Sequence, residues 1–323
     1  MNTKPYEVII VGAGPAGLTA AIFARKKQFS VLLLDGGRAG GQLKNLYPHK
    51  PVYNYPGYAD IKAAGLAEKM KEQAEQEGIS LLEETPVRVI SAIRDGNYEL
   101  EVPGVHYRSQ SVILACGMGL FEPLRLNVPG ESELAENGIF YTVKNVEGWQ
   151  GRFVVVIGGG NSALDNSLFL CDHACKVTIV HQLARFQAEA ASVEQAKESC
   201  AELLLGWKVE RFAKENNHIA LYLKNMDGQK QDRISADRVL INIGFKKSYS
   251  FLNTLSLARD KKGIIVDSEM KTSLPGIFAC GDVVSYPGKV RLIVTAIGEA
   301  ATAVNSTEEF LKVKKLSEVH HED

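Results

Sequence analysis

The sequence has no excess of charge of either sign, because its 37 lysines and arginines almost balance its 38 aspartates and glutamates. The net charge of -1 excludes a general binder of nucleic acid or of an acidic membrane surface. The sequence also lacks any apolar run that approaches the roughly 20 residues of a membrane-spanning helix. Residues 1–6 lead directly into the first predicted strand without a signal peptide, so we expect a cytoplasmic protein.

Cysteine pairs at redox or metal-binding spacing are missing as well. None of the five cysteines forms a C-x-x-C motif, and their spacing predicts no disulfide framework. Cys171 and Cys175 lie four residues apart on a predicted helix. We interpret them as small buried residues on an apolar helix face, with a shared metal or a redox pair as the alternative.

Two glycine-rich loops are the most informative feature that is present. Each follows an apolar run, residues 7–11 or 153–157, and opens a segment with helical character. The first glycine of such a loop permits a tight turn, the second lets the backbone approach a pyrophosphate, and the third position must be small. Two such loops suggest two dinucleotides that exchange electrons. The candidate binding residues are Gly12, Gly14, Ala16 and Gly17 in the first loop, and Gly158, Gly160, Asn161, Ser162 and Ala163 in the second.

An acidic residue follows the first loop at an informative distance. The helix predicted from Ala16 to Lys27 is followed by the apolar strand Ser30–Leu34, which ends at Asp35. A carboxylate at this position of a dinucleotide-binding unit accepts hydrogen bonds from the adenosine ribose. We therefore expect Asp35 to bind a ribose, although an acid at a strand end also serves simply as a turn residue.

The remaining pattern predicts two α/β domains, one inserted in the other. After the first unit come a predicted helix (about Ile61 to Glu77), meander strands between Val87 and Tyr107, and a buried strand from Val112. The second loop repeats the strand–loop–helix scheme, and a late strand at Gly276–Gly281 is followed by a helix from about Val290 to Phe310. The simplest placement of this late strand is in the first sheet. We predict two Rossmann-like three-layer dinucleotide-binding domains, with residues 1–118 and 246–323 forming the first and residues 119–245 the second.

Several short motifs carry a resemblance that covers essentially the whole chain. The sequence resembles the thioredoxin-reductase-like flavoproteins, and within them the ferredoxin–NADP reductases of thioredoxin-reductase type. The broad resemblance rests on both glycine loops together with Gly40-Gly41-Gln42 and Gly281-Asp282. The narrower one rests on Gly41 to Pro48 with Tyr53 and Gly57, on Phe121-Glu-Pro123, on Tyr286-Pro-Gly-Lys289, and on Gly298-Glu-Ala300.

This resemblance implies FAD in the first domain and a nicotinamide dinucleotide, NADH or NADPH, in the second. The first glycine loop would hold the FAD pyrophosphate, and Tyr47 would cover one face of the isoalloxazine ring. A Tyr-Pro turn packed in the core is the alternative interpretation of Tyr47. The resemblance further assigns Gly41, Gln42, Val87, Phe121 and Asp282 to FAD.

The chain departs from the thioredoxin reductases where those enzymes carry a C-x-x-C before the second glycine loop. The corresponding residues here, about Tyr141–Lys144, contain no sulfur. Electrons are therefore expected to leave the flavin directly for a small acidic carrier, ferredoxin or flavodoxin, and no catalytic side chain is assigned. A thiol or disulfide reductase that uses Cys116 or Cys280 is the alternative enzyme. Five cations are candidates for docking an acidic carrier, and ordinary solvated surface is the alternative interpretation: Lys44, Lys50, Lys62, Lys289 and Arg291.

The C-terminal tail carries a further expectation of the resemblance. His321 falls on the tail histidine that covers the second flavin face from a partner subunit, which implies a homodimer. His320 is adjacent and is the alternative residue for this role. A solvated tail or an expression scar is the alternative interpretation of both histidines.

The second domain lacks the residues that would select its nucleotide. Relatives that use NADPH place arginines after the strand Lys176–Val180, because guanidinium groups bind the 2′-phosphate bidentately. Here the segment begins at His181, a candidate nucleotide contact, and continues Gln182-Leu183-Ala184-Arg185. Three interpretations remain: an NADH site, an NADPH site that uses Arg185 or a distant lysine, and a flavoprotein with impaired NAD(P)H binding that acts with a protein partner.

Overall fold

The structure is a computed structural model that describes residues 4–93, 96–117, 119–135, 137–143, 146–174, 176–248 and 250–319. Its chain divides into two compact units, the first formed by residues 1–121 and 247–323 and the second by residues 122–246. These boundaries lie within three residues of the predicted ones. No helix in the described ranges is long and apolar enough to cross a membrane.

The first unit is built around a seven-stranded sheet with helices packed on it. Its core strands are runs of aliphatic residues buried on both faces, as is typical of parallel strands covered by helices. The strands up to the first domain crossing are β1 (Tyr6–Val11), β2 (Val31–Leu34), β3 (Pro51–Val52), β4 (Ile61–Lys62), β5 (Ser80–Leu82), β6 (Val89–Ile93), β7 (Asn97–Val102), β8 (Val105–Leu114) and β9 (Leu120–Pro123). The helices are α1 (Pro15–Lys26), α2 (Gly41–Asn45) and α3 (Ala63–Gln76).

The second unit contains a five-stranded parallel sheet and a separate three-stranded antiparallel sheet. Its strands are β10 (Ile139–Phe140), β11 (Phe153–Ile157), β12 (Lys176–His181), β13 (Glu202–Leu205), β14 (Trp207–Glu215), β15 (His218–Asn225), β16 (Gln231–Ala236) and β17 (Arg238–Ile241), and β18 (Phe245–Ser248) follows at the second crossing. The parallel sheet has the order β10-β17-β11-β12-β13. The helices are α4 (Glu131–Leu134), α5 (Asn161–Cys171) and α6 (Ala190–Glu198).

The C-terminal part of the chain completes the first unit. It contains β19 (Ile264–Ile265), β20 (Ile277–Ala279), β21 (Val284–Ser285) and the long helix α7 (Ile293–Val319), with 3-10 turns at Ser250–Thr254 and Gly281–Val283. Strand β20 pairs in parallel with β8, with Phe278 opposite Ile113. The late strand therefore joins the first sheet, and the predicted fold class is confirmed.

Three elements differ from the sequence prediction in extent. The meander strand near Tyr107 and the buried strand from Val112 are one strand, β8, which pairs with β7 in its first half and with β1 and β20 in its second. Helix α3 begins later than predicted, because Ile61 and Lys62 pair with β3 instead. Helix α7 continues nine residues beyond Phe310, where lysines on its last turns bond to Glu7 and to the Gly96 carbonyl.

One cysteine prediction was wrong. Cys171, expected to be a free buried residue, forms a disulfide with Cys200, and their Cα atoms are 5.8 Å apart. Cys171 ends α5 and Cys200 follows α6, and these helices are brought together because β12 and β13 are neighbours in the parallel sheet. A pairing across 29 residues leaves no local trace in the sequence. Cys175, the other member of the predicted pair, lies outside the described residues.

We predict that reduction of this disulfide destabilises the protein. Opening a cross-link that closes a loop of this length costs about 3.6 kcal/mol in the chain-entropy model, so the denaturant midpoint falls when a reductant is added. Equilibrium urea unfolding with and without reductant measures the shift, and a Cys171→Ser/Cys200→Ser variant provides the control because it must not respond to reductant. Equal midpoints for the oxidised and reduced wild type would contradict the prediction.

Candidate functional site

The first glycine loop joins β1 to α1 through close backbone contacts. At Gly12, whose φ is +105°, a Cβ would lie 2.5 Å from the Ala115 carbonyl oxygen. At Gly17 a Cβ would lie 1.7 Å from the Gly12 carbonyl oxygen. The helix can therefore begin directly at the strand end only with glycine at both positions. Pro15 occupies the start of α1, where the missing N–H is not needed.

A cavity of about 460 Å³ lies at this loop, entirely within the first unit. Its volume is in the range of small-molecule and cofactor sites. The predicted site residues that line it are Gly12, Gly14, Ala16, Asp35, Gly41, Gln42, Tyr47, Val87 and Asp282. Gly17 packs beneath the loop instead, the side chain of Phe121 is not described, and His321 and His320 lie outside the described residues.

Asp35 is held by the backbone of two loops at the cavity wall. Its Oδ2 accepts the Ala13 N–H at 2.6 Å and its Oδ1 accepts the Gly37 N–H at 2.7 Å. Burial raises the pKa of this carboxyl group, and the two backbone hydrogen bonds oppose that shift. Each carboxylate oxygen can accept more than one hydrogen bond, so both oxygens keep acceptor capacity for hydroxyl groups of a ligand.

Two linked side-chain hydrogen bonds at the cavity wall join distant parts of the sequence. The Gln42 amide donates from Nε2 to Asp282 Oδ2 at 2.9 Å, and the Tyr47 hydroxyl donates to Gln42 Oε1 at 3.4 Å. Burial, with a smaller effect of the Asp282 charge, raises the pKa of Tyr47 to about 12. Tyr47 therefore keeps its proton at neutral pH, and its ring forms part of the cavity wall.

The second glycine loop also packs directly against neighbouring backbone. Gly158 has a φ of +147°, and a Cβ there would lie 2.2 Å from the Asn242 carbonyl oxygen. Gly160 caps α5, and Asn161 uses its side-chain oxygen to accept the Glu189 N–H at 2.8 Å. Ala163 is buried and Ser162 is exposed.

His181 lies against this second loop. Its ring carbons and Nε2 would be about 2.4 Å from a Cβ at Gly159, and the ring stacks on Phe186 with centroids 5.9 Å apart. Burial lowers the pKa of His181, so its imidazole is neutral at physiological pH. Residues 182–185 follow as an exposed turn, and Arg185 is its single cation.

One cation proposed for carrier docking is not on the surface. The Lys289 side chain is only 6% exposed and forms an ion pair with Glu299, so its docking role was a wrong prediction. Lys44 pairs with Glu68 at 2.6 Å, whereas Lys50, Lys62 and Arg291 are exposed. A lysine inside a Pro-Gly-Lys turn looks solvated in sequence, and its buried partner ten residues later could not be recognised.

The two free cysteines near the cavity are poor nucleophiles. Cys116 lines the cavity, and burial raises its pKa to about 12. Cys280 is completely buried, and burial raises its pKa still further from the ordinary thiol value. Because the thiolate is the reactive form, neither residue supports the thiol-reductase alternative.

Residues 6–300 match the pyridine nucleotide-disulphide oxidoreductase family. Two curated relatives are named ferredoxin–NADP reductase. That of Lacticaseibacillus paracasei is 36% identical over 93% of this chain and 92% of its own length, and that of Halalkalibacterium halodurans is 33% identical over 95% and 93%. Among solved structures, thioredoxin reductase of T. acidophilum superposes with a TM-score of 0.79 at 30% identity, covering 94% of this chain and 97% of the other.

Each glycine loop follows a strand that lies between parallel neighbours, β1 in the first sheet and β11 in the second, and the family match defines an oxidoreductase that uses two dinucleotides. The chain belongs to the pyridine nucleotide-disulphide oxidoreductase family. The predicted resemblance is thereby confirmed, together with the assignment to oxidoreductases that use FAD and a nicotinamide dinucleotide.

We predict that Gly17→Ala destabilises the protein and that Gly14→Ala, in the same loop, does not. The Gly17 change forces a methyl group into a backbone carbonyl and costs about 2 kcal/mol or more of unfolding free energy. The Gly14 change meets no atom closer than 3.7 Å, so stability stays within about 0.5 kcal/mol of wild type. Denaturant unfolding of both apo-proteins measures the difference, and equal losses would refute the packing argument.

We also predict that Cys116 and Cys280 resist alkylation in the folded protein. With pKa values raised by burial, both thiols react with iodoacetamide about a hundredfold or more slowly than a free cysteine at pH 7.5. Mass spectrometry of timed samples measures the rates, and urea-denatured protein serves as the fast-reacting control. Rapid labelling of Cys116 in the native protein, with loss of activity, would restore the thiol-reductase alternative.

Proposed function

We propose that this protein is an FAD-dependent oxidoreductase that passes electrons between a nicotinamide dinucleotide and a ferredoxin or flavodoxin. The observation that carries the proposal is the cavity of the first unit, where a glycine loop, a helix N-terminus and Asp35 meet. The curated relatives named ferredoxin–NADP reductase, matched over nearly their whole length, support the choice of carrier.

The residues of the first unit fit FAD. Gly12 and Gly17, where a Cβ would meet backbone, let α1 begin close to the end of β1, and Gly14 lines the cavity at the N-terminus of α1, where a pyrophosphate would lie. The Asp35 carboxylate can accept hydrogen bonds from the adenosine ribose. The Tyr47 ring, whose hydroxyl keeps its proton, can pack against the isoalloxazine ring. FAD supplies the conversion between two-electron and one-electron transfer, while the protein binds, orients and excludes water. No side chain is given an acid–base role.

For the second unit we propose NADH as the preferred nucleotide. The residues that follow β12 are the place where a dinucleotide-binding unit meets the adenosine ribose, and a 2′-phosphate requires cations there. Gln182, Leu183 and Ala184 are exposed and uncharged, and Arg185 stands alone. The amide of Gln182 can exchange hydrogen bonds with ribose hydroxyls, whereas it cannot neutralise a phosphate dianion.

For the carrier we propose direct electron transfer from the flavin. The sequence has no cysteine between Cys116 and Cys171, and the thiols near the cavity are held protonated. Exposed Lys50, Lys62 and Arg291 are the remaining candidates for contact with an acidic carrier. A homodimer in which His321 of each tail covers the partner's flavin, and a cytoplasmic location, belong to the same proposal.

The decisive experiment is anaerobic rapid mixing of the FAD-loaded protein with NADH and with NADPH separately. We expect NADH to bleach the flavin. The second-order rate constant of flavin reduction by NADH should exceed that by NADPH about tenfold or more, because the site has no pair of cations to bind the 2′-phosphate. Reduced protein is then mixed with oxidised ferredoxin or flavodoxin. If neither nucleotide bleaches the flavin, the dehydrogenase function is wrong.

Two variants test the nucleotide preference. Arg185→Gln should leave the NADH rate within about twofold of wild type, because the proposal gives this residue no contact with an unphosphorylated ribose. Lys197→Gln, an exposed residue of the same unit that pairs with Glu194, is the matched control. A preference for NADPH that disappears in Arg185→Gln would show that Arg185 binds the phosphate and would overturn the choice of NADH.

A further inference from the structure

A buried carboxylate next to the cofactor cavity collects three hydrogen-bond donors. Glu299, on α7, is 5% exposed. Its Oε1 accepts from Lys289 Nζ and from the Tyr286 hydroxyl, both at 2.5 Å. Its Oε2 accepts the backbone N–H of Gly281 at 2.7 Å. Of these four residues only Gly281 lines the cavity, so the cluster reaches the cavity through that residue.

The hydrogen bond to Gly281 fixes the start of the turn that carries Asp282. Gly281 has a φ of +83°, and a Cβ there would lie 2.9 Å from the Ala16 side chain, so the turn packs directly on the beginning of α1. Asp282 follows and accepts the Gln42 amide at 2.9 Å. The position of Asp282 therefore depends on an anchor outside the cavity, on Glu299.

The ion pair within this cluster is unusual in its burial. The side chains of Lys289 and Glu299 are 6% and 5% exposed, whereas the other lysine–carboxylate pairs of the described residues are considerably more exposed. Taking two charges out of water has a large desolvation cost, and an apolar pair of similar volume is often as stable. The pair therefore needs an explanation beyond stability. Lys289 and Tyr286 both donate to Oε1 of Glu299, and this holds Oε2 in one orientation as the acceptor of the Gly281 N–H.

We propose that Glu299 and Lys289 are positioning residues of the FAD site. Lys289 and Tyr286 orient the Glu299 carboxylate, which fixes the Gly281 backbone and through it the Asp282 side chain at the cavity wall. This inference rests on the proposed FAD site, but not on the nucleotide or carrier assigned to the protein. It gives a role to Tyr286, Lys289 and Glu299, which belong to the motifs Tyr286–Lys289 and Gly298–Ala300 and do not line the cavity themselves.

The test measures FAD affinity of the apo-protein by fluorescence titration, with no electron donor present. Glu299→Gln leaves one acceptor oxygen where two are used, so we expect FAD binding weakened about tenfold or more. Glu194→Gln, which removes an exposed carboxylate paired with Lys197 in the other unit, should bind FAD as the wild type does. Tyr286→Phe removes one hydrogen bond and retains the carboxylate, and should weaken binding by a smaller factor.

A double-mutant cycle separates positioning from general stability. If Glu299 acts through Asp282, then in an Asp282→Asn background the change Glu299→Gln should produce little further loss of FAD affinity. The inference is overturned if the losses of FAD affinity caused by Asp282→Asn and Glu299→Gln multiply in the double variant. It is also overturned if a folded Glu299→Gln or Tyr286→Phe protein binds FAD as tightly as the wild type. If Glu299→Gln does not fold, the cycle is carried out with Tyr286→Phe. A wild type that does not bind FAD would instead refute the proposed function itself.

Discussion

The structure depends on backbone meeting backbone at the two glycine loops. In the first unit, Gly17 lies against the carbonyl of Gly12, and Gly12 lies against the end of β8. Because these contacts leave no space for a Cβ, α1 begins directly above the sheet edge and directs its free N–H groups towards the cavity. Gly158 meets the Asn242 carbonyl in the same way in the second unit. Each binding surface is thus created by packing before any ligand arrives.

Around the first loop, side-chain hydrogen bonds gather segments that are far apart in sequence. Asp35 ties the ends of β1 and β2 together through Ala13 and Gly37. Gln42 and Asp282 are 240 residues apart and yet share a hydrogen bond. The site therefore forms only when the N-terminal and C-terminal parts of the first unit are both folded. A local loss of packing in either part is expected to disturb the same cavity.

The sequence contained the parts of the fold that are encoded locally. Glycine spacing, aliphatic runs and an acid at a strand end are local patterns. In the first unit they predict β1, α1 and β2, and the structure has all three. The exposed turn after β12 was also recognisable, because Gln182 and Leu183 are visibly not arginines. The late strand is expected in the first sheet because the second domain is complete without it, and β20 does pair with β8.

What could not be predicted depends on tertiary proximity. The sequence around Lys289 is typical of a surface residue, but in the fold α7 places Glu299 beside it. The sequence around Cys171 is typical of a free thiol, but neighbouring strands bring Cys200 close to it. The extent of α7 was underestimated because its last turns are polar and owe their order to bonds with Glu7 and Gly96. In each case burial or pairing overrides the local preference of the residue.

The order of strands has a consequence for synthesis on the ribosome. The second unit is one uninterrupted segment, so all of its sheet is available once residue 246 has been translated. The first unit must wait for β20, whose partner β8 was made more than 160 residues earlier. Until then, half of one edge of β8 lacks its neighbour, which is the kind of exposed strand that chaperones bind and that aggregates when it meets another chain. The inserted unit is therefore able to fold first, while the sheet of the first unit is still incomplete.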